Sequence, residues 1–200
     1  SPPAPVPFEE PDWLAAHLAD RLGVAFVRDP RSIFLFGPSG CGKTTLGGHA
    51  ATVLPFVEFH DLDHLVQTLT EVPAGQYLRE EGNDAFLAAC IEAADRFVSP
   101  SPGTLTLVAV GAGALQSERA LDWVRGTTSV CLYAPASVNF PRNPLGPGRS
   151  FSEYEATEYS HCRQEIYRSA RYFLDLDSRL LEAAQGPTLL TGAVLWRATK

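Results

Sequence analysis

Residues 37–44 constrain the fold of this chain more than any other stretch. Their sequence, Gly-Pro-Ser-Gly-Cys-Gly-Lys-Thr, fits the phosphate-binding pattern G-x-x-x-x-G-K-[ST] at every position. Such a loop joins a buried strand to a helix, and here apolar residues 33–36 precede it and a helical pattern over 44–53 follows. Its glycines let backbone N–H groups converge on an anion, toward which the helix directs its positive end. The pattern therefore predicts an α/β fold with a nucleoside triphosphate site.

The residues of this phosphate loop (37–44) have separate expected tasks. Lys43 is expected to reach the β- and γ-phosphates, and the Thr44 hydroxyl is expected to take a Mg²⁺ position. The predicted nucleotide-binding residues are Gly37, Ser39, Gly40, Cys41, Gly42, Lys43, Thr44 and Thr45.

Apolar runs and helical patterns alternate along the rest of the chain. The predicted strands are 33–36, 56–59, 105–110, 129–132 and 172–176, and the helical patterns are 44–53, 62–69, 84–97, 117–124, 152–170 and 178–184. Continuous apolar strands between helices predict a five-stranded parallel sheet in a three-layer α/β/α sandwich. An amphipathic helix over 12–23, ended by Gly23, is expected to pack on this core, and the apolar stretch 188–196 is a candidate added strand.

Composition and net charge limit the kinds of partner that this chain is expected to bind. The net charge of −7 argues against a broad nucleic-acid-binding face, although a local cluster of arginines can still hold a small anion. The sequence has no apolar run of the ~18 residues that a membrane span requires. None of the four cysteines forms a C-x-x-C pair, which argues against disulfide or metal use and favours a reducing, cytoplasmic location. Cys90 and Cys131 are interpreted as small buried residues.

Two carboxylates follow the second predicted strand. Asp61 can hold Mg²⁺ through water, and Asp63 can accept a proton from a substrate hydroxyl or orient it. The alternative is a helix N-cap, a position at which Asp is favoured.

Two further segments carry candidate site residues. Gly111, Ala112 and Gly113 follow the third strand, where small residues permit close approach of a ligand to the backbone, or simply form a strand-to-helix turn. Arg142 and Arg149 lie in a Pro- and Gly-rich stretch typical of a lid, and either can stabilise charge on a transferred phosphoryl group, Arg142 being the first choice. The alternative is that both are solvated loop arginines.

Arg163 lies four residues before Tyr167 on one helical face. It can clamp an anionic group through two hydrogen bonds, or serve as a surface ion-pair partner with i,i+4 spacing.

The order of these motifs resembles the shikimate kinase family. The phosphate loop, the D-x-D of Asp61 and Asp63, the turn at 111–113 and the R-x-x-x-Y beginning at Arg163 occur in that family's order. Residues 82–86 look like its G-E-x-x-F segment, and residues 111–115 are similar to its G-G-G-A-V region. The resemblance covers roughly residues 31 to 185.

The resemblance implies a P-loop kinase fold of the nucleoside-monophosphate-kinase type, with ATP and Mg²⁺. It implies phosphoryl transfer to a hydroxyl of a small, carboxylated or polyhydroxylated acceptor. In that scheme Lys43 is the phosphate lysine, and Thr44 and Asp61 assist Mg²⁺. Asp63 meets the acceptor hydroxyl, and Arg163 meets the acceptor carboxylate.

The acceptor half departs from the family's pattern. Leu87 stands where the family has an arginine that grips the carboxylate, Cys90 stands in place of a glutamate, and Ala112 interrupts the glycine triplet. Three hypotheses follow: a small-molecule kinase with a changed acceptor, a catalytically inactive nucleotide-binding regulatory module, and a true shikimate kinase that uses Arg79 or Arg96 instead. A gluconate-kinase-like enzyme is a related possibility.

The predicted organisation has two parts. Residues 1–30 form a proline-rich lead-in and the first helix, and residues 31–200 form the P-loop kinase domain. Within that domain, residues 61–98 are the predicted acceptor-binding region and residues 141–160 the predicted lid. The expected assembly is a monomer or a small homo-oligomer.

Overall fold

Strands and helices alternate through the part of the chain that the structure, a computed structural model, describes: residues 12–28, 32–54, 56–98, 105–142, 149–175 and 196–198. The strands are β1 (Ile33–Phe36), β2 (Val57–Asp61), β3 (Leu105–Ala109), β4 (Thr128–Tyr133), β5 (Tyr172–Asp175) and β6 (Trp196–Ala198). The helices are α1 (Asp12–Arg28), α2 (Lys43–Val53), α3 (Leu62–Thr70), α4 (Ala74–Val98), α5 (Ala120–Gly126), α6 (Ala136–Asn139), α7 (Phe151–Glu158) and α8 (His161–Ser169). Two 3₁₀ turns lie at Ala112–Gln116 and Phe140–Arg142.

The strands form one sheet in the order β2-β3-β1-β4-β5-β6. The pairs among β1 to β5 are all parallel, which confirms the predicted five-stranded parallel sheet. β6 adds an antiparallel edge beside β5. The candidate strand 188–196 overlaps β6 only at Trp196, and its other residues lie outside the described part.

Both faces of the sheet are covered, as the residues of β1 show. Ile33 and Leu35 belong to one buried core with side chains of α1 and α2, whereas Phe34 and Phe36 belong to a second core with side chains of α4, α5 and α8. Successive strand residues point to opposite faces, so the alternation places one helical layer on each side. The three-layer sandwich is therefore confirmed.

Several predicted helix bounds are wrong. α1 runs through Gly23 to Arg28, because its buried face continues beyond Gly23 in Ala25. α4 begins ten residues before the predicted residue 84, and Gly82, with φ 86°, marks the non-helical kink inside it.

The pattern over 152–170 divides into α7 and α8, separated at Tyr159 and Ser160. The pattern over 117–124 begins as a helix only at Ala120. The predicted helix 178–184, the lead-in 1–11 and the loop residues 143–148 lie outside the described part.

The topology brings the candidate residues to one edge of the sheet. Gly37 follows β1, Gly111 follows β3 and Asp61 ends β2, and these three parallel strands are neighbours in the order β2-β3-β1. The carboxyl ends of parallel strands form the ligand crevice of open α/β sheets. The fold therefore places the phosphate loop, the D-x-D pair and the glycine-containing turn together.

Candidate active site

The phosphate loop has the backbone conformation that its glycines permit. Gly37, Gly40 and Gly42 have φ values of 148°, 84° and 89°, which side chains rarely adopt. A Cβ on Gly37 would lie 2.1 Å from the Leu132 carbonyl oxygen, so the loop also packs too closely there for any other residue. Gly42 begins α2 without a side-chain cap, which leaves the first N–H groups of the helix suited to an anion.

Lys43 lies across this loop. Its side chain is buried, and Nζ donates hydrogen bonds to the carbonyl oxygens of Gly37 at 2.8 Å and Pro38 at 2.9 Å. The ammonium group is thus held over the loop on which phosphates are expected. Burial raises the pKa of the neighbouring Cys41 thiol despite the nearby Lys43 charge, so Cys41 stays protonated and packs as an apolar residue.

An open cluster of Thr44, Asp61 and Asp63 lies at the C-terminal end of the loop, here called its far end. The Thr44 hydroxyl donates to Asp61 Oδ2 at 2.5 Å, and the Asp63 backbone N–H donates to Asp61 Oδ1 at 2.9 Å. Asp61 is therefore the N-cap of α3, so the capping alternative is confirmed for this residue. Capping engages one carboxylate oxygen through a backbone N–H and leaves the other beside Thr44.

Asp63 extends the open cluster toward the third strand. Its carboxylate reaches solvent in the crevice, yet protein surrounds it closely enough that desolvation raises its pKa. The charge of Asp61 raises this pKa further, and the charge of Lys43 lowers it. A Cβ on Gly111 would lie 2.6 Å from Asp63 Oδ1, so only glycine permits this approach of the turn to the carboxylate.

Helix α4 contributes an apolar wall of Phe86, Leu87 and Cys90, of which Cys90 lies close enough to Asp63 for that charge to act on it. Phe86 and Cys90 are buried in the second core, and Leu87 packs against the same core. A Cβ on Gly113 would lie 3.3 Å from the Phe86 ring, so this wall backs the turn that follows β3. Burial raises the pKa of the Cys90 thiol to about 12, with a further contribution from the Asp63 charge, so the thiol carries no charge at neutral pH.

A closed cluster lies at the N-terminal end of the loop, here called its near end. It consists of Ser39, Arg149, Tyr154, Glu158 and Arg163. Glu158 Oε2 accepts hydrogen bonds from the Ser39 backbone N–H at 3.1 Å and from Arg163 Nη1 at 2.5 Å. Arg149 Nη1 donates to Glu158 Oε1 at 3.3 Å, and the Tyr154 hydroxyl donates to the Ser39 carbonyl oxygen at 2.5 Å. Helix α7 thus binds both sides of one residue of the phosphate loop.

The structure corrects one interpretation of Arg163. Its side chain is 5% exposed and its partner Glu158 is 2% exposed, five residues earlier in the chain. The alternative of a surface i,i+4 ion pair is therefore wrong. Whether Arg163 contacts an acceptor stays a prediction.

The two predicted lid arginines lie near Tyr154. The Arg149 guanidinium carbon is 5.8 Å from the centre of the Tyr154 ring. Burial lowers the pKa of Arg142, and the nearby Tyr154 opposes that shift. Both arginines are only partly exposed, so the alternative of two freely solvated loop arginines is wrong.

Sequence reasoning missed Glu158. Helix α7 begins with a capping box in which Ser150 and Glu153 bond each other's backbone, and its next acidic residue, Glu155, is exposed. The available signal was the i,i+4 spacing of Tyr154 and Glu158, which puts both side chains on one helical face. That spacing alone does not show that the face meets the phosphate loop.

The structure also gives the positions of the remaining candidate residues. Thr45 is exposed on the first turn of α2, and Ala112 is buried where the 3₁₀ turn begins. All four cysteines are free thiols, and Cys90 and Cys131 are buried as predicted. Over the described ranges, no three His, Cys, Asp or Glu side chains gather as a metal-binding group, and no helix there is long and apolar enough to cross a membrane.

Comparisons with known proteins agree with this arrangement. A family model described as shikimate kinase matches residues 39–187. The shikimate kinase 2 of Enterobacter sp. (strain 638) is 30% identical over 78% of this chain and 88% of that protein. The shikimate kinase 2 of Salmonella heidelberg (strain SL476) is 30% identical over 72% of this chain and 82% of that protein.

Solved structures show the same fold. A shikimate kinase from Acinetobacter baumannii in complex with shikimate superposes with a TM-score of 0.61 at 26% identity, covering 72% of this chain and 82% of that one. The shikimate kinase from Bacteroides thetaiotaomicron gives a TM-score of 0.61 at 24% identity over 72% and 85% of the two chains. Helix α1 lies before the residues that the family model matches.

Proposed function

Because the chain belongs to the shikimate kinase family, we propose that it transfers the γ-phosphate of ATP to a hydroxyl of a small, carboxylated or polyhydroxylated acceptor. The observation that carries this proposal is the open cluster beside the phosphate loop. There Thr44 and Asp61 lie in hydrogen-bond contact, and Asp63 stands against Gly111. Phosphoryl transfer needs phosphate positioning, charge neutralisation and a group that accepts the acceptor's proton, and the phosphate loop and the open cluster together can supply all three.

The phosphate loop and Lys43 position the triphosphate. Backbone N–H groups of the loop and of the first turn of α2 bind phosphate oxygens. Lys43 already lies over the loop and exchanges its carbonyl partners for β- and γ-phosphate oxygens.

The open cluster fits Mg²⁺, which prefers hard oxygen ligands and keeps several of its waters. Thr44 offers a hydroxyl and Asp61 a carboxylate, and the two oxygens are 2.5 Å apart. When bound, Mg²⁺ neutralises charge on the β- and γ-phosphate oxygens. Asp61 keeps its second oxygen on the Asp63 backbone and so holds the start of α3 in place.

Asp63 acts on the acceptor. As the acceptor oxygen bonds to the γ-phosphorus, the bond to the β–γ bridging oxygen breaks, and ADP leaves with that electron pair. The hydroxyl proton passes to Asp63, whose raised pKa makes it a better proton acceptor than an ordinary aspartate. Gly111, Ala112 and Gly113 bring backbone close to the acceptor on the other side.

Arg142 and Arg149 are proposed to stabilise charge on the transferred phosphoryl group. Both lie in the proposed lid (residues 141–160), whose helix α7 contacts Ser39 of the phosphate loop. Arg142 remains the first choice. In the same proposal, residues 61–98 bind the acceptor, residues 31–200 form the kinase domain, and residues 1–30 extend it.

The expected partners of this function are ATP and the acceptor alone. The net charge of −7 disfavours a nucleic acid partner, and the four free thiols suit a reducing, cytoplasmic location. The expected assembly is a monomer or a small homo-oligomer.

A panel of polyols, cyclic hydroxy acids and sugars tests the proposal through ATP turnover. We expect at least one class to stimulate turnover far above the rate without acceptor. Tight ATP binding with no stimulation by any compound would instead support the inactive regulatory module. The apolar wall, with Leu87 where an arginine clamp is expected, favours that second candidate.

The same panel tests the third hypothesis. Turnover of shikimate at an ordinary enzyme rate would identify a true shikimate kinase. The arginines proposed to replace the clamp in that case are Arg79, which is exposed on α4, and Arg96, which pairs with Glu92 at 2.9 Å.

A further inference from the structure

Glu158 and Arg163 form a nearly inaccessible ion pair at the phosphate loop. The two side chains are 2% and 5% exposed, and Glu158 also accepts the Ser39 N–H. Arg163 thus faces a carboxylate that the chain itself supplies. The pair lies beside Ser39 of the phosphate loop, and Arg163 is the residue that the family resemblance assigns to an acceptor carboxylate.

An incoming carboxylate does not easily displace Glu158. Breaking a buried ion pair leaves a desolvated charge, and this penalty exceeds what one new charge-assisted hydrogen bond returns. Glu158 would lose the Arg163, Ser39 and Arg149 contacts together. The positive charge of Arg163 is therefore already neutralised when a ligand arrives.

The surroundings of Asp63 also disfavour an anionic acceptor. Asp61 and Asp63 are adjacent acidic groups, and the apolar wall of Phe86, Leu87 and Cys90 adds no charge. Of the described residues, Lys43 is the cation whose charge acts on Asp63, and the proposed function assigns it to the triphosphate. A carboxylate bound here would meet the charges of Asp61 and Asp63, whereas Mg²⁺ and Lys43, the cations of this site, are assigned to the triphosphate.

Arg149 and Arg142 do not change this balance. Arg149 is a quarter exposed and its contact to Glu158 is 3.3 Å, and Arg142 lies by Tyr154 in the proposed lid. The proposed function directs both toward the triphosphate, whose negative charge exceeds what two arginines neutralise.

We infer that Glu158 takes the place of a ligand carboxylate at Arg163, so that the acceptor is a neutral polyhydroxylated compound rather than a hydroxy acid. This inference rests on the proposed function and narrows its substrate class. It also explains why the chain tolerates Leu87 at a position where an arginine clamp is expected.

Matched acceptor pairs that differ only in charge test this inference in the wild-type protein. Shikimate, quinate and gluconate are each compared with their primary carboxamide, together with the corresponding uncharged cyclitols and sugars, by kcat/KM for ATP-dependent phosphorylation. We expect the neutral members to exceed the acids by at least tenfold. A preference for the acids would overturn the inference while leaving the kinase intact, whereas turnover of no compound would overturn the proposed function itself.

Glu158→Gln removes the internal carboxylate with little change in volume. We expect it to raise kcat/KM for the acids at least tenfold relative to their amides, because Arg163 then has no anionic partner. Glu155→Gln is the matched control, since it makes the same change at an exposed position of the same helix and should leave the ratio unchanged. A folded Glu158→Gln protein with the wild-type ratio would overturn the inference. If this variant does not fold, the wild-type comparison alone decides.

Discussion

The two ends of the phosphate loop satisfy their charges differently. At the far end, the open cluster of Thr44, Asp61 and Asp63 lies at the surface of the crevice, with carboxylate oxygens turned to a hydroxyl and a backbone N–H. At the near end, the closed cluster centred on Glu158 is inaccessible, and arginines engage both of its carboxylate oxygens.

This difference separates a cluster suited to ligand binding from a cluster that mainly supports the structure of the site. The open cluster keeps acidic groups close together in partial contact with solvent, which suits ligand binding but makes the ionised form of Asp63 unfavourable in the folded state. In the closed cluster Glu158 pairs with Arg163 and holds α7, α8 and the loop together, so this pair shapes the site without offering a free charge. The open cluster should therefore control turnover, and the closed cluster should control stability and acceptor choice.

Lys43→Ala should produce the largest effect, because Lys43 lies on the loop between the two clusters. Removing the charge expected at the transferred phosphoryl group should lower ATP turnover by about 10³-fold or more. Turnover is measured with saturating acceptor, and circular dichroism checks that the loop's loss of the Gly37 and Pro38 hydrogen bonds leaves the chain folded. Unchanged turnover would refute the assignment of the site.

Asp63→Asn should lower kcat by about 10²–10³-fold, because the amide cannot accept the proton of the acceptor hydroxyl. ATP affinity, measured by equilibrium binding, should change little, since Asp63 faces Gly111 rather than the loop. Asp20→Asn, at an exposed position of α1, is the matched control and should leave both quantities unchanged. Equal losses in kcat and ATP affinity would contradict the role of Asp63 at the acceptor hydroxyl.

The sequence predicted the sheet better than the helices. Buried parallel strands are short continuous apolar runs, so β1 was predicted at its observed bounds and four others within two residues at either end. Helix ends depend on packing that a sequence does not show. Gly23 is a typical stop signal for a helix, but Ala25 packs in the core beyond it and α1 continues to Arg28.

The open cluster was predictable because its residues follow strand ends in sequence. Asp61 ends β2 and Gly111 follows β3, so knowledge of parallel neighbours was enough to bring them together. The closed cluster joins Ser39 to Glu158, 119 residues apart. Nothing local distinguishes Glu158 from the exposed Glu155, and only the packed position of α7 reveals its partner.

Glu158→Ala should lower the free energy of unfolding by about 3–5 kcal/mol, because it leaves the buried Arg163 charge without a partner. Urea unfolding measures this, and Glu155→Ala on the exposed face of α7 should change stability by less than about 0.5 kcal/mol. The double variant Glu158→Leu/Arg163→Met should be more stable than Glu158→Ala, since apolar side chains replace the pair without a stranded charge. A loss below about 1 kcal/mol for Glu158→Ala would show that the Glu158–Arg163 pair is not a desolvated pair on which the stability of the fold depends.

Gly111→Ala should lower kcat by about tenfold to 10²-fold. Its Cβ would lie 2.6 Å from Asp63 Oδ1, so the carboxylate must move from its position against the turn. Gly48→Ala is the control, because its Cβ meets only the Phe59 ring at 3.8 Å and a helical alanine should be neutral or slightly stabilising. Full activity in Gly111→Ala would mean that the acceptor does not depend on the observed position of Asp63.

The smallest effect expected is a pH-dependent gain in stability from Asp63→Asn. Because the folded state raises the pKa of Asp63 above its unfolded value, the folded state holds more protons between these two pKa values. The stability contribution of Asp63 therefore falls as pH rises through that window, and its destabilising effect is complete above the folded pKa. Its carboxylate reaches solvent, so the effect is modest.

Urea unfolding of the wild type and Asp63→Asn in metal-free buffer, from pH 3.5 to pH 8, measures this contribution. The difference in stability between the two proteins should shrink as the pH falls below about 3.9, where the aspartate becomes increasingly protonated in both states. At pH 8 the variant should be more stable, by no more than about 1 kcal/mol. Asp20→Asn should show no such trend. If the wild type is the more stable protein at pH 8, the ionised Asp63 carboxylate stabilises the fold. The proposed difference in stability between the open and the closed cluster would then be wrong.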